Sequence, residues 1–251
     1  MTDLDQIYTT IHVTMSQVTD NEKQRYFTNL AWRAAGNSEH SREDIVYGVL
    51  PEFLSLHKAP PYRFSIWPQM SLKWKPRHSN DQRQEITDFG LVNFTRHAVK
   101  LRCGVEVKRP IPLMAEMPRA ADIKDLDEVK DSFYAVRLQA EDQAKASFKN
   151  NYCFNSSRPI HWILVVGPYW TPIQLGPFSP AALTVRSHKA SSSEDFMARV
   201  KIEKLKLQTP PNLLELYRFD SGSSYNRLEE ILRDTDNVAT PLIDDILGRV
   251  R

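Results

Sequence analysis

The chain reads as an α/β protein: several strands, a long amphipathic helix, further strands, and helical additions at both ends. Three observations carry this. Residues 101–108 alternate apolar Leu101, Cys103, Val105 and Val107 with Arg102, Gly104, Glu106 and Lys108, the period of a strand with one apolar and one polar face. Residues 126–149 set Val129, Phe133, Val136, Ala140, Ala144 and Phe148 on one stripe at helical spacing. Residues 161–169 form a largely apolar run with the character of a buried strand.

The remaining elements follow in chain order. Leu4, Ile7, Tyr8, Ile11 and Met15 recur at helical spacing, and a second helical run covers 21–35. Ser41 with Asp44 makes a capping box before Ile45, Val46, Val49 and Leu50, and Pro51 predicts a kink or a new first turn over 52–57. Residues 62–67 and 70–75 are strand-like, with Pro68 marking a break between them. The polar stretch 76–85 reads as a loop, and 88–95 as a strand opened by Asp88. Pro110 and Pro112 end the strand that carries Glu106 and Lys108. Residues 171–178 should pair with 161–169 across the turn at 167–170. A polar loop covers 186–196, a strand candidate 213–219, and a helix 225–233 precedes a final short helix. The organisation expected is one domain over 1–251: a helical extension at 1–40, a core at 41–180 and an elaboration at 181–251.

Composition limits the function classes. Hydrophobic residues make up 41% of the chain and charged residues 25%, as in ordinary globular proteins. The net charge of +2 excludes a polyelectrolyte attraction spread over the whole surface. Charge is instead uneven: 62–109 hold ten Lys and Arg against four acids, while 115–142 hold eight acids against four bases. A basic excess around a polar strand suits a phosphate-binding surface, although a solvated sheet edge has the same look. Cys103 and Cys153 cannot build a disulfide framework, and Cys103 is read as a buried thiol. No His or Cys falls in a zinc spacing, and there is no Walker A loop, dinucleotide fingerprint or Gly-x-Ser-x-Gly elbow. The longest apolar stretch, 160–170, is too short to span a bilayer, and the Met-Thr-Asp-Leu-Asp start lacks a secretion signal. An intracellular protein, in cytosol or nucleus, is expected.

Glu106 and Lys108 stand two apart on the polar side of their strand, so a carboxylate and an ammonium lie side by side. A loop over 95–99 would fold the Asp88 strand back onto it and bring Asp88 and Glu106 together. Two carboxylates beside a lysine suit a hard, oxygen-liganded cation such as Mg²⁺ or Mn²⁺. Metal-assisted phosphodiester cleavage needs those parts. Taken alone, alternating Glu and Lys also suit an exposed strand face.

In order and residue type this arrangement resembles the PD-(D/E)XK nuclease superfamily, whose restriction-endonuclease-like core is a central mixed sheet flanked by helices. The likeness runs over about 41–178, and the flanks look most like fungal nuclease-like proteins of that superfamily. Asp88 matches its Asp, Glu106 its second acid and Lys108 its Lys; Thr87 stands where the motif usually has Pro. The resemblance implies metal-dependent hydrolysis of DNA or RNA, with Asp88 and Glu106 on Mg²⁺ or Mn²⁺ and Lys108 orienting water or stabilising the transition state. It also implies an acid from the first core helix, for which Glu43 is preferred over Glu52, and a helix glutamine facing the site. Gln139 and Gln143 lie one turn apart there, and Gln139 is taken for the catalytic set. Arg63, Lys73, Lys75, Arg77 and Arg83 are expected to contact phosphates, with Trp67 and Trp74 among them as core aromatics or, less readily, base-stacking groups. The partner expected is nucleic acid and not a membrane, with a homodimer allowed. The alternative is a catalytically silent nuclease-like module that binds nucleic acid or a protein.

Overall fold

The computed structural model describes residues 20–35, 43–55, 64–74, 83–94, 98–184 and 215–248, leaving aside the side chains of 20–24, 43–45, 55, 74, 83, 94 and 236–248. Helices α1 (Asp20–Ala35) and α2 (Glu43–Ser55) come first. Strands β1 (Ser65–Trp74), β2 (Arg83–Phe94) and β3 (Val99–Lys108) follow. A one-turn helix α3 (Ala120–Ile123) leads into the long α4 (Asp127–Lys149). Then come β4 (Ile160–Val166), β5 (Tyr169–Leu175), the two-residue β6 (Tyr217–Arg218) and α5 (Gly222–Gly248). The strands form one six-stranded sheet in sequence order. All neighbours are antiparallel except β3 and β4, which run parallel because α4 carries the chain back across the sheet between them. This is an α/β protein with a mixed sheet flanked by helices, and no helix among the described residues is long and apolar enough to cross a membrane.

Both sheet faces are covered. On one, Phe27, Leu30, Leu50 and Phe53 of α1 and α2, with Leu228 and Leu232 of α5, pack on Phe89, Leu91, Cys103, Val105 and Val107. On the other, Val129, Phe133, Val136, Ala140 and Ala144 of α4 pack on Trp162, Leu164 and Val166. The side of β3 read from its alternation as polar is therefore no solvent face, because Gly104 and Glu106 lie under the crossover helix; a parallel pair brings helices to both faces. The alternation itself also breaks. Leu91 pairs with Cys103 but Val92 with Leu101, so Arg102 is the extra residue of a β-bulge. The bulge turns Arg102 toward α5, its Nη2 3.5 Å from Thr235 Oγ1 and its guanidinium over Phe64.

Several boundaries differ from the expected ones. β1 runs unbroken through Pro68, because β1 is the sheet edge and the missing N–H breaks no ladder bond there. β2 starts at Arg83, so Arg83–Glu85 belong to a strand and Asp88 sits inside it; residues 75–82 lie outside the described part. Trp67 is 39% exposed on β1, which removes it from the core. Across Gly167-Pro168, β5 starts at Tyr169 and not at Thr171. The strand candidate at 213–219 shrinks to β6, and the last two helices are one. The first helical pattern, 4–15, and the loop 186–196 lie outside the described residues.

Candidate active site

The site forms where the β2–β3 ladder stops. Gly90 pairs with Gly104 and Phe89 with Val105, and beyond that step side chains replace backbone bonds. Thr87 Oγ1 donates to Val105 O at 2.9 Å. Asp88 Oδ2 accepts the Val107 N–H at 2.7 Å, and Asp88 Oδ1 accepts the Tyr47 hydroxyl from α2. On β3 the fully buried Glu106 accepts Lys108 Nζ on Oε1 at 3.0 Å and Gln143 Nε2 on Oε2 at 2.7 Å. The same Gln143 amide donates to Ile86 O at 2.7 Å, so α4 spans the gap between the diverging strands. Each carboxylate is thus held from a different side of the sheet: Asp88 by α2, Glu106 by α4.

These two acids are chemically unequal. Burial pushes the Glu106 carboxyl up to about 8, the nearby Asp88 charge adds to the rise, and Lys108 and Gln143 oppose it. At neutral pH Glu106 therefore keeps its proton much of the time, on a group whose two oxygens already have donors. The Lys108 side chain is one-third exposed, so its ammonium reaches solvent from the edge of this buried cluster.

Asp88, Glu106 and Lys108 are brought together as their spacing implied. Gln139 is not the helix glutamine that meets them. It is half-buried one turn earlier and makes no hydrogen bond to Asp88 or Glu106, whereas Gln143 makes two polar contacts here. A turn of α4 decides between them, and the apolar stripe alone could not. Glu52 is engaged with Tyr26 Oη at 2.9 Å and Arg33 Nη1 at 3.1 Å, and the side chain of Glu43 lies outside the described part. Of the proposed phosphate contacts, Lys73 is exposed on β1, Arg83 begins β2, and Arg63, Lys75 and Arg77 lie outside the described residues. Tyr47 was missed. Its signal is a tyrosine between Val46 and Val49, at the margin of an apolar stripe, whose hydroxyl needs a partner once covered. Cys103 is a buried thiol, as expected.

Asp88 and Glu106 are the oxygen donors that could take a divalent cation. Gln143, whose Nε2 binds Glu106, also has a buried Oε1 without a hydrogen-bond partner among the described residues. Such a set fits Mg²⁺ or Mn²⁺ better than a softer metal. Among the described residues no group of three or more His, Cys, Asp or Glu converges. Comparison with protein-family models, with curated proteins and with solved structures gave no match.

Proposed function

We propose that this chain is a divalent-metal-dependent nuclease with a restriction-endonuclease-like core, hydrolysing phosphodiester bonds in DNA or RNA inside the cell. One observation carries the reading: Asp88 and Glu106 meet where two strands diverge, with the Lys108 ammonium 3.0 Å from Glu106. Asp88 and Glu106 would hold Mg²⁺ or Mn²⁺, with Glu43 on the same helix as Tyr47 as the third acid. The bound cation supplies a polarised water and neutralises phosphate charge. Burial raises the Glu106 pKa, so a cation held there would bind the ionised form and its binding would displace a proton to solvent. Lys108 stays outside the ligand set and stabilises charge that develops as water attacks phosphorus. Gln143 fixes the Glu106 carboxylate by holding Oε2. Lys73 and Arg83, on the β1–β2 pair that continues past the end of the β2–β3 ladder, would hold phosphates away from the scissile bond.

A second reading, a catalytically silent nuclease-like module, is favoured by the convergence of only two carboxylates among the described residues. Cleavage of labelled single- and double-stranded DNA and RNA, with Mn²⁺ and with chelator, separates the two. Lys108→Ala should keep nucleic-acid binding and lose turnover by about 10²-fold or more. Asp88→Ala should lose both cleavage and any Mn²⁺-induced rise in melting temperature. Binding without cleavage of all four substrates by the wild type would replace the enzyme with the module.

A further inference from the structure

Resting on Asp88 as a metal ligand, we infer that Tyr47 is the residue that positions the Asp88 carboxylate for cation binding. An aspartate carboxylate turns easily about its terminal torsion, which is broad and roughly two-fold. The bond from Val107 N at 2.7 Å ties down one oxygen and leaves that rotation partly open. The Tyr47 hydroxyl binds the other oxygen from a different element, so the carboxylate plane is fixed at two points.

Tyr47 is itself held. Its ring packs against Phe89 at 5.3 Å between centroids, and its helix is anchored by the buried Val46, Val49, Leu50 and Phe53. Phe89 follows Asp88 directly, so the contact that fixes the ring also fixes the strand that presents the carboxylate. A phenol is a neutral donor. It occupies one lone pair of Oδ1 without cancelling the charge a cation needs, and a carboxylate with about four lone-pair sites keeps two of them free.

The molecule contains its own control. Tyr26 makes the same kind of bond, hydroxyl to carboxylate, to Glu52 at 2.9 Å on the exposed side of the same helix. The test is Mn²⁺ binding to the full chain without nucleic acid, followed by calorimetry, in wild type, Tyr47→Phe and Tyr26→Phe. Tyr47→Phe keeps the ring against Phe89 and should weaken Mn²⁺ binding about tenfold or more, as loss of a group orienting a ligand does. Tyr26→Phe should bind as wild type. On a cleaved substrate Tyr47→Phe should lower kcat and leave KM unchanged. Equal Mn²⁺ affinity in wild type and Tyr47→Phe would overturn the positioning role while leaving the metal site standing. A wild type that binds no Mn²⁺ would bring down the metal site and this role together.

Discussion

The two faces of the sheet are both buried, but they send different groups toward the site. Under α1, α2 and α5 the packing is aromatic: Phe53 stacks on Phe219 at 4.6 Å and meets Phe27 edge-on at 5.8 Å. Under α4, small residues stand among the large Phe133 and Trp162. Ala140 and Ala144 of the helix face the sheet, and Gly90 and Gly104 pair across β2 and β3. A β-carbon on Gly90 would lie 2.6 Å from Met70 Sδ, and one on Gly104 would land inside the Trp162 indole. From α4, Gln143 reaches Glu106 and Ile86 O beyond the glycine pair, whose open side is filled by Met70 and Trp162. From α2 the site receives the Tyr47 hydroxyl. At the site the difference lies in what each face sends in: a phenol from α2 and an amide from α4.

Substitutions on the two faces should then fail differently. Phe53→Ala removes a buried ring and should cost about 3–5 kcal/mol in denaturant unfolding, with metal binding intact below the transition. Gly104→Ala forces Trp162 aside and should cost about 1–3 kcal/mol. It should also weaken Mn²⁺ binding, because the displaced indole lies beside the strand that carries Glu106. Equal effects of the two substitutions on Mn²⁺ affinity, after correction for stability, would break the comparison.

Next in size is the buried acid. The raised Glu106 pKa means that the folded chain holds a proton the unfolded chain releases between about pH 4.5 and about 8. This group's contribution is present below that window and is lost as pH rises through it. Without metal, Glu106→Gln should therefore flatten the fall in melting temperature over this range, and should melt ~3 °C or more above wild type near pH 8. Saturating Mn²⁺ should oppose the fall in wild type, because the cation binds the ionised form. A wild-type melting temperature that does not fall across the window would show that Glu106 is ionised throughout.

The smallest effect belongs to the surface. Glu52 pairs with Arg33 where both side chains are about half exposed, so Glu52→Ala should cost below ~1 kcal/mol and leave Mn²⁺ affinity untouched. A large loss of metal binding in that variant would return Glu52 to the site.

Much was legible in the chain because it rests on local periodicity. The α4 stripe, the β3 alternation from Cys103 to Val107, the buried β4 run and the meeting of Asp88 with Glu106 and Lys108 follow from spacings of 3.6 and 2 and from a short return between strands. Tertiary structure decided the rest. Whether Gln139 or Gln143 meets Glu106 depends on how far along the sheet α4 sits, and two glutamines one turn apart on one helix face carry no mark of that. The bulge at Arg102 needs a partner strand to exist at all, so no single-strand pattern reveals it. Pro68 within β1 is tolerated only because assembly leaves β1 at the edge. Tyr47 meets Asp88 across 41 residues of chain, and Glu106 becomes a proton-holding acid only when α4 closes over it. Sequence set which groups are available within each element; burial and long-range contact, which no local spacing encodes, set which of them touch and what charge they carry.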